Sequence, residues 1–253
     1  MNEKEVDFAI YLPTYNRPLS LPKVLGSIFR QSEQNFKVYI LDRSQGVQRK
    51  IVRENLEKLL KINKKVKVFY DDDFVPLGEA YNKLLFEYSD KDEKYSILYV
   101  DDTFMIRHKL KCFKLFLDSN PNTYLTCSRL GLITHYEEDE EGGFIDYETT
   151  EIGNFEVAES GWMVADLCST CIRRKVIDNV GKIKIVQQNE GVDCNYWKQI
   201  TMSGFYPIYG SQAIAKFINF SRKVCMDLAF QKTRDNASLR EQITKGEIDK
   251  PYE

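Results

Sequence analysis

Two aspartates side by side, Asp101 and Asp102, close the apolar run Ser96-Ile-Leu-Tyr-Val. Hard divalent cations such as Mg2+ and Mn2+ take carboxylate and phosphate oxygens. The pair therefore suits metal-assisted work on a nucleotide, either polymerisation or transfer of a group from the nucleotide. A solvated turn or a helix N-cap is the plain alternative. The pair has company: Thr14-Tyr15-Asn16-Arg17, Asp42-Arg43-Ser44 and Asp71-Asp72-Asp73 each follow another short apolar run. Cys168-Ser-Thr-Cys171 has C-x-x-C spacing. A zinc site needs further spaced ligands, the chain has only 2 His, and a redox pair should open a helix. These two cysteines read as buried thiols.

The elements that position these groups alternate in type. Residues 6–12, 36–42, 66–70 and 95–100 are short, β-rich apolar runs and read as buried strands. Leu21, Val24, Leu25, Ile28 and Phe29 fall on one helical face, with Ser20 as the expected N-cap. A charged helix is expected over 47–62, and another where Leu77, Ala80, Tyr81, Leu84, Leu85 and Tyr88 keep helical spacing. A helix over 107–118 leads to a strand at 124–128. Strand–helix alternation marks an α/β domain with a largely parallel sheet. In such sheets ligands bind at the carboxyl ends of strands, where all four polar clusters fall.

The second half is less regular. The acidic run 137–141 and Gly142-Gly143 read as an exposed loop within 137–160. A strand over 163–172, a short helix ending near Gly181, a helix over 190–202 and a strand over 205–209 follow. The simplest parse is one domain over 1–225, with a nucleotide half (1–105), an acceptor half (106–225) and a helical tail from 226.

Bulk properties narrow the chemistry. The formal net charge is −2, from 36 Lys plus Arg against 38 Asp plus Glu. A nucleic-acid binder usually gathers a basic excess, so a nucleic-acid partner is disfavoured. A polymerase also needs another carboxylate upstream and a hairpin after the pair; Met105-Ile106 is too brief a return strand. No run approaches the ~18 apolar residues of a membrane span, and the N-terminus lacks a signal-peptide pattern. The expectation is a cytoplasmic protein with free thiols, whose association with a membrane, if any, is peripheral.

With the elements in order, the chain resembles a family 2 glycosyltransferase of GT-A fold over roughly residues 6–220. The segment FAIYLPTYNRPLSLPKVLGSIFRQSEQNFKVYILDRS matches the family's strand, Pro-Thr-Tyr-Asn-Arg turn, amphipathic helix and strand closing on aspartate. LGEAYNKLL resembles its G-x-x-x-A-R-N segment, LYVDDTFM its D-x-D-type metal motif, and EGVDCNYW its late acidic motif. The fold implied is a Rossmann-like, three-layer α/β/α GT-A fold with a mostly parallel central sheet. Three features depart from the pattern. Arg43 stands where a second, base-reading Asp is usual, Tyr81 where the helix Arg is usual, and the histidine often found near the end of the catalytic region has no counterpart in FINFSRKV.

The resemblance also implies roles. Asp102 holds Mn2+ or Mg2+ on the diphosphate of a nucleotide sugar, with Asp101 beside it on the ribose or supporting the metal. Pro13, Thr14, Tyr15, Arg17, Asp42, Arg43, Asp71 and Asn82 form the nucleotide side. Asp193 is the expected general base, with Glu190 its visible competitor. Asp166, Glu190 and Trp162 are placed on the acceptor side, Trp162 because aromatic faces stack on sugar rings. Trp197 reads as core. Arg43 only donates hydrogen bonds and would favour a base presenting acceptors, although the family's habit favours uridine. The implied activity is metal-dependent, inverting transfer of a sugar to a hydroxyl of a glycan or other acceptor. The rival is a non-catalytic sugar-nucleotide-binding or scaffold protein of the same fold. A third reading, transfer to a modified DNA base, runs against the charge balance.

Overall fold

The computed structural model describes residues 6–105, 107–127, 130–138, 144–152, 167–184, 192–205 and 225–227. Its centre is a sheet in which β1 (Val6–Thr14) lies between β2 (Phe36–Asp42) and β4 (Glu93–Leu98), with β3 (Val66–Tyr70) outside β2. These four strands are parallel. β9 (Thr170–Arg173) runs antiparallel between β4 and β6 (Leu125–Cys127), giving the order β3-β2-β1-β4-β9-β6.

Alternation along the strands builds two cores. Phe8, Ile10 and Leu12 of β1, with Val38 and Ile40 of β2, face one side of the sheet. There they pack against α1 (Ser20–Phe29), α2 (Gly46–Ile62) and α4 (Lys109–Ser119) through Leu21, Val24, Ile28, Val52, Leu56 and Phe113. Ala9, Tyr11, Tyr39 and Leu41 face the other side. That side is covered by α3 (Leu77–Asn82), its π-helical continuation Lys83–Tyr88, α5 (Arg174–Val180) and α6 (Val192–Met202). Strands apolar on both faces are what a sheet covered twice requires. The result is the three-layer α/β/α arrangement that the resemblance implied.

A second sheet, in the order β5-β10-β7-β8, joins β5 (Thr103–Met105), β10 (Cys225–Asp227), β7 (Leu130–Glu138) and β8 (Phe144–Ile152). Residues 130–138 and 144–152 form an antiparallel hairpin, which corrects the expected loop over 137–143 at Glu137 and Glu138. The acidic composition suggested a loop. The β-branched and aromatic content of LGLITHYEE and FIDYETTEI carries the strands instead. Of the acidic run, Glu137 and Glu138 lie in β7, while 139–141 lie outside the described residues.

Smaller differences follow from local geometry. Ser20 is the first residue of α1, not its cap; Leu19 precedes it and no side chain caps the helix. Residues 167–169 of the expected strand over 163–172 form a 3-10 turn, and the strand begins at Thr170. Residues 226 and 227 extend β10, while the rest of the expected tail helix and 206–209 of the expected strand lie outside the described residues. A return strand does follow Asp101-Asp102, but β5 pairs with β10 and not with β4. The aspartates are therefore not the tip of a catalytic hairpin. Among the described residues, no helix is long and apolar enough to cross a membrane.

Candidate functional site

Register sets the edge on which the polar clusters meet. Thr14 lies opposite Asp42, and Asp42 opposite Tyr70, so β1, β2 and β3 finish level. β4 pairs Leu98 with Tyr11; continued three residues, that register brings Asp101 level with Thr14. The loops beyond are stitched together. Arg43 N donates to Thr14 O at 3.1 Å, and Tyr15 N donates to Asp101 Oδ2 at 3.0 Å. Asn16 adopts a left-handed φ of 54°, which Asn tolerates. It donates from N to Ser44 Oγ at 2.9 Å and accepts from Gln45 N through Oδ1 at 2.9 Å.

Arg17 closes the β1 turn over the aspartates. Its Nε lies 3.7 Å from Asp101 Oδ1 and its Nη2 3.6 Å from Asp102 Oδ2. Both carboxylates thus turn an oxygen to one cationic position. Their side chains are 14% and 19% exposed, enough for a ligand to reach them.

The carboxylates after β2 and β3 are engaged by the protein. Asp42 is fully buried, accepting from Ser44 N at 2.9 Å and Arg53 Nε at 3.3 Å. Asp71 pairs with Lys83, and Asp72 with Arg53 and Arg49. Arg43 lies over the Tyr15 and Phe74 rings, with its guanidinium carbon 5.6 and 6.0 Å from the two centroids. The rings themselves meet edge-on at 5.6 Å. Burial lowers the Arg43 pKa, and nearby Asp101 opposes that shift.

Tyr81 is fully buried and donates to Tyr99 O at 2.8 Å. Burial raises its pKa well above the usual phenol value, and the neighbouring Asp193, Cys168 and Asp101 add to the rise, while Arg43 opposes it. Asp101, Arg43 and Asp193 therefore all lie within electrostatic reach of one phenol. Asp193 sits in the first turn of α6, where the helix dipole favours a carboxylate. Its Oδ2 accepts from Leu167 N at 3.3 Å.

The structure brings Tyr15, Arg17, Arg43, Asp101 and Asp102 together on one edge; Asp193, in the first turn of α6, is held by Leu167 N. Other expected residues have internal work. Asn82 is buried and donates from Nδ2 to Ile183 O at 2.9 Å, while its Oδ1 accepts from Ile183 N at 2.8 Å. Pro13 and Thr14 are buried within β1. Trp162, Asp166 and Glu190 lie outside the described residues. Trp197 is 1% exposed in the core, and Cys168 and Cys171 are buried free thiols, as expected.

One residue escaped sequence reasoning. Lys109 is 2% exposed on the apolar face of α4, between the Tyr99 and Phe113 rings at 5.6 and 5.5 Å. Its Nζ donates to Cys168 O at 2.8 Å, in the turn whose Leu167 N holds Asp193. A lysine sharing a helix face with Leu110, Phe113 and Leu117 was the available signal.

Comparison with known proteins places this geometry in a fold. No family model matches the sequence, and no curated protein matches it significantly. Among solved structures, S. aureus TarS 1-349 is similar with a TM-score of 0.58 at 15% identity, covering 78% of this chain and 56% of that one. The mannosyltransferase PcManGT from Pyrobaculum calidifontis, in complex with GDP-Man and Mn2+, gives 0.53 at 14% identity, with 83% and 56% covered. GalNAc-T7 with UDP, GalNAc and Mn2+ gives 0.56 at 12% identity, with 77% and 40% covered. The chain spans about half the length of the first two and less of the third. Its sheet order, mixed only at β9, and its three layers are those of the α/β fold shared by these transferases: the chain has the GT-A fold.

Proposed function

We propose that the protein is a glycosyltransferase of the hexosyl-transferring kind, moving a sugar from a nucleoside-diphosphate donor to a hydroxyl acceptor with inversion at the anomeric carbon. The observation that carries this reading is the pair Asp101 and Asp102 at the strand-end edge of a GT-A fold, both facing Arg17. That edge is where a nucleotide would lie, and Asp193 belongs to the half that would receive an acceptor. TarS has been seen with UDP and with UDP-GlcNAc, and PcManGT with GDP-Man. Uridine is the base that the resemblance favours, and the base is taken up below.

The residues fit the divalent cation that this reading calls for. Asp101 and Asp102 turn oxygens to a common cationic position at Arg17. Among the described residues, no group of three or more His, Cys, Asp or Glu side chains is placed to hold a metal. The protein would therefore supply two carboxylates, and the donor's phosphates further oxygens, as is usual for Mg2+ and Mn2+. When bound, the metal neutralises charge growing on the diphosphate leaving group. Arg17 holds the carboxylates in place and adds positive charge beside them. Tyr15 offers its ring to the base or ribose.

Transfer then needs a proton acceptor. The acceptor oxygen bonds to the anomeric carbon, its proton passes to the Asp193 carboxylate, and the bond from that carbon to the diphosphate oxygen breaks with its electron pair. A carboxylate within reach of the acceptor hydroxyl is a group suited to this work. Leu167 N donates to Asp193, and Lys109 braces the same turn through Cys168 O. A surface polysaccharide or lipid-linked glycan is the proposed acceptor class.

Asp193→Asn tests the reading against its non-catalytic rival. Turnover should fall by roughly a hundredfold to ten-thousandfold, the range of one general base, while donor binding stays within twofold. Wild-type protein that binds donor but transfers sugar to no glycan acceptor and hydrolyses none would support the rival.

A further inference from the structure

The side chain that begins the loop beyond β2, Arg43, can donate hydrogen bonds but not accept them. Arg43 is 7% exposed. Its guanidinium makes one hydrogen bond among the described residues, from Nη1 to Val75 O, and its Nε is buried without a partner. The bond from its backbone N to Thr14 O fixes the residue at the level where β1 and β2 end. Tyr15 and Phe74 flank the guanidinium, and Phe74 is 43% exposed, so aromatic surface is open beside the cation. A flat base stacks on such surface whatever its identity.

Two of the nearby carboxylates are held by the protein: Asp42 is sealed by Ser44 and Arg53, and Asp71 is paired with Lys83. Asp72, paired with Arg49 and Arg53 yet 75% exposed, and Asp73 lie on the open surface before Phe74. Asp101 holds Tyr15 N and faces Arg17. A guanidinium carries five N–H donors in a planar fork and no acceptor. The fork matches two acceptors side by side on one edge of a base, as when arginine reads guanine O6 and N7. Cytosine O2 and N3 form an equivalent pair. Uracil places N3–H between its two carbonyls, so the same fork meets one acceptor and confronts one donor.

Resting on the nucleotide-sugar reading above, we propose that Arg43 sets the base specificity. The preferred donor carries a base with two adjacent acceptors, cytosine or guanine, in place of uracil. The uridine bound by TarS does not carry over, because a donor-only side chain occupies the reading position here. A good bidentate pair discriminates by about tenfold to a hundredfold.

Calorimetric titration of the full chain with CDP, GDP, UDP and ADP, each with Mn2+, tests the proposal. CDP or GDP should bind at least tenfold more tightly than UDP, and the two titrations separate pyrimidine from purine. Arg43→Lys keeps the charge but loses the fork, and should bring the ratio to UDP within threefold while the melting temperature holds. Arg43→Gln, which both donates and accepts, should do the same. UDP binding as tightly as the best of the others in the wild type, or an unchanged ratio in both variants, overturns the assignment and leaves the nucleotide-sugar reading standing. Failure of all four nucleotides to bind removes that reading and the assignment together.

Discussion

Replacing Arg174 by Met should be among the most damaging single changes outside the site. Glu93, at the start of β4, is fully buried, and its Oε1 accepts from Tyr11 Oη at 2.5 Å, Ser96 Oγ at 2.9 Å and Arg174 Nη1 at 2.9 Å. Arg174, whose side chain is 6% exposed, also donates to Tyr11 Oη at 3.1 Å, Leu85 O at 3.2 Å and Asp178 at 2.8 Å. Burial alone would lower its pKa; Glu93 and Tyr11 raise it instead. Met fills similar volume but leaves the Glu93 carboxylate buried without a counter-ion. Breaking a buried pair from one side costs about 3–5 kcal/mol, a large share of a domain's ~5–15 kcal/mol. At ~2–4 °C per kcal/mol for a chain of this size, the melting temperature should fall by about 6–20 °C. Urea unfolding, followed by tryptophan fluorescence with the buried Trp197 as a core reporter, measures the loss. The Glu93→Gln, Arg174→Met double variant should recover much of it, because no charge remains unpaired. A loss under 1 kcal/mol for Arg174→Met, or a double variant costing the sum of the singles, would refute the reasoning.

Three further outcomes follow from particular contacts. Asn82→Ala strips both hydrogen bonds from the Ile183 backbone and should cost about 2–4 kcal/mol in urea unfolding, from two unmet buried groups. Desolvation would raise the Asp90 pKa, but hydrogen bonds from Lys67, Lys37 and Tyr39 hold it down to about 2. Its stabilisation is therefore complete above its ordinary value of 3.8 and is lost as pH falls through about 2. Asp90→Asn should lose about 1 kcal/mol at pH 7, once solvent screening at this part-exposed site is discounted, with the difference from wild type shrinking between pH 4 and pH 2. Lys109→Met removes the donor to Cys168 O and should lower kcat while leaving nucleotide affinity within twofold; equal loss of both would deny it a role through Asp193.

The order of strands and helices was legible because β1, β2 and β4 are buried on both faces, so their apolar runs stand out. That order placed four polar clusters on one edge, and the β1–β4 register, continued three residues past its last pair, brings Asp101 level with Thr14. The hairpin over 130–152 was hidden by its charge, since Glu137, Glu138, Glu148 and Glu151 sit in strands. Individual roles were harder to read. Asn82 looks like a ligand contact in sequence, yet its amide is matched to a backbone 101 residues away. Asp42 and Asp71 look like open acceptors until Arg53 and Lys83 are seen against them. A motif gives the residue type at a strand end; which cation reaches it depends on helices packed later. The same limit hid Phe74, which turns Arg43 from a missing aspartate into part of an aromatic-flanked corner.

The central claim is that a nucleoside diphosphate binds across Tyr15, Arg43, Asp101 and Asp102 with a divalent cation on its phosphates. Titration of the wild type and Asp102→Asn with the best-binding diphosphate, with and without Mn2+, tests this most directly. Mn2+ should tighten binding to the wild type by tenfold or more and leave Asp102→Asn nearly indifferent. Binding that ignores Mn2+ in the wild type, or a metal effect that persists in full without the Asp102 carboxylate, would contradict the account.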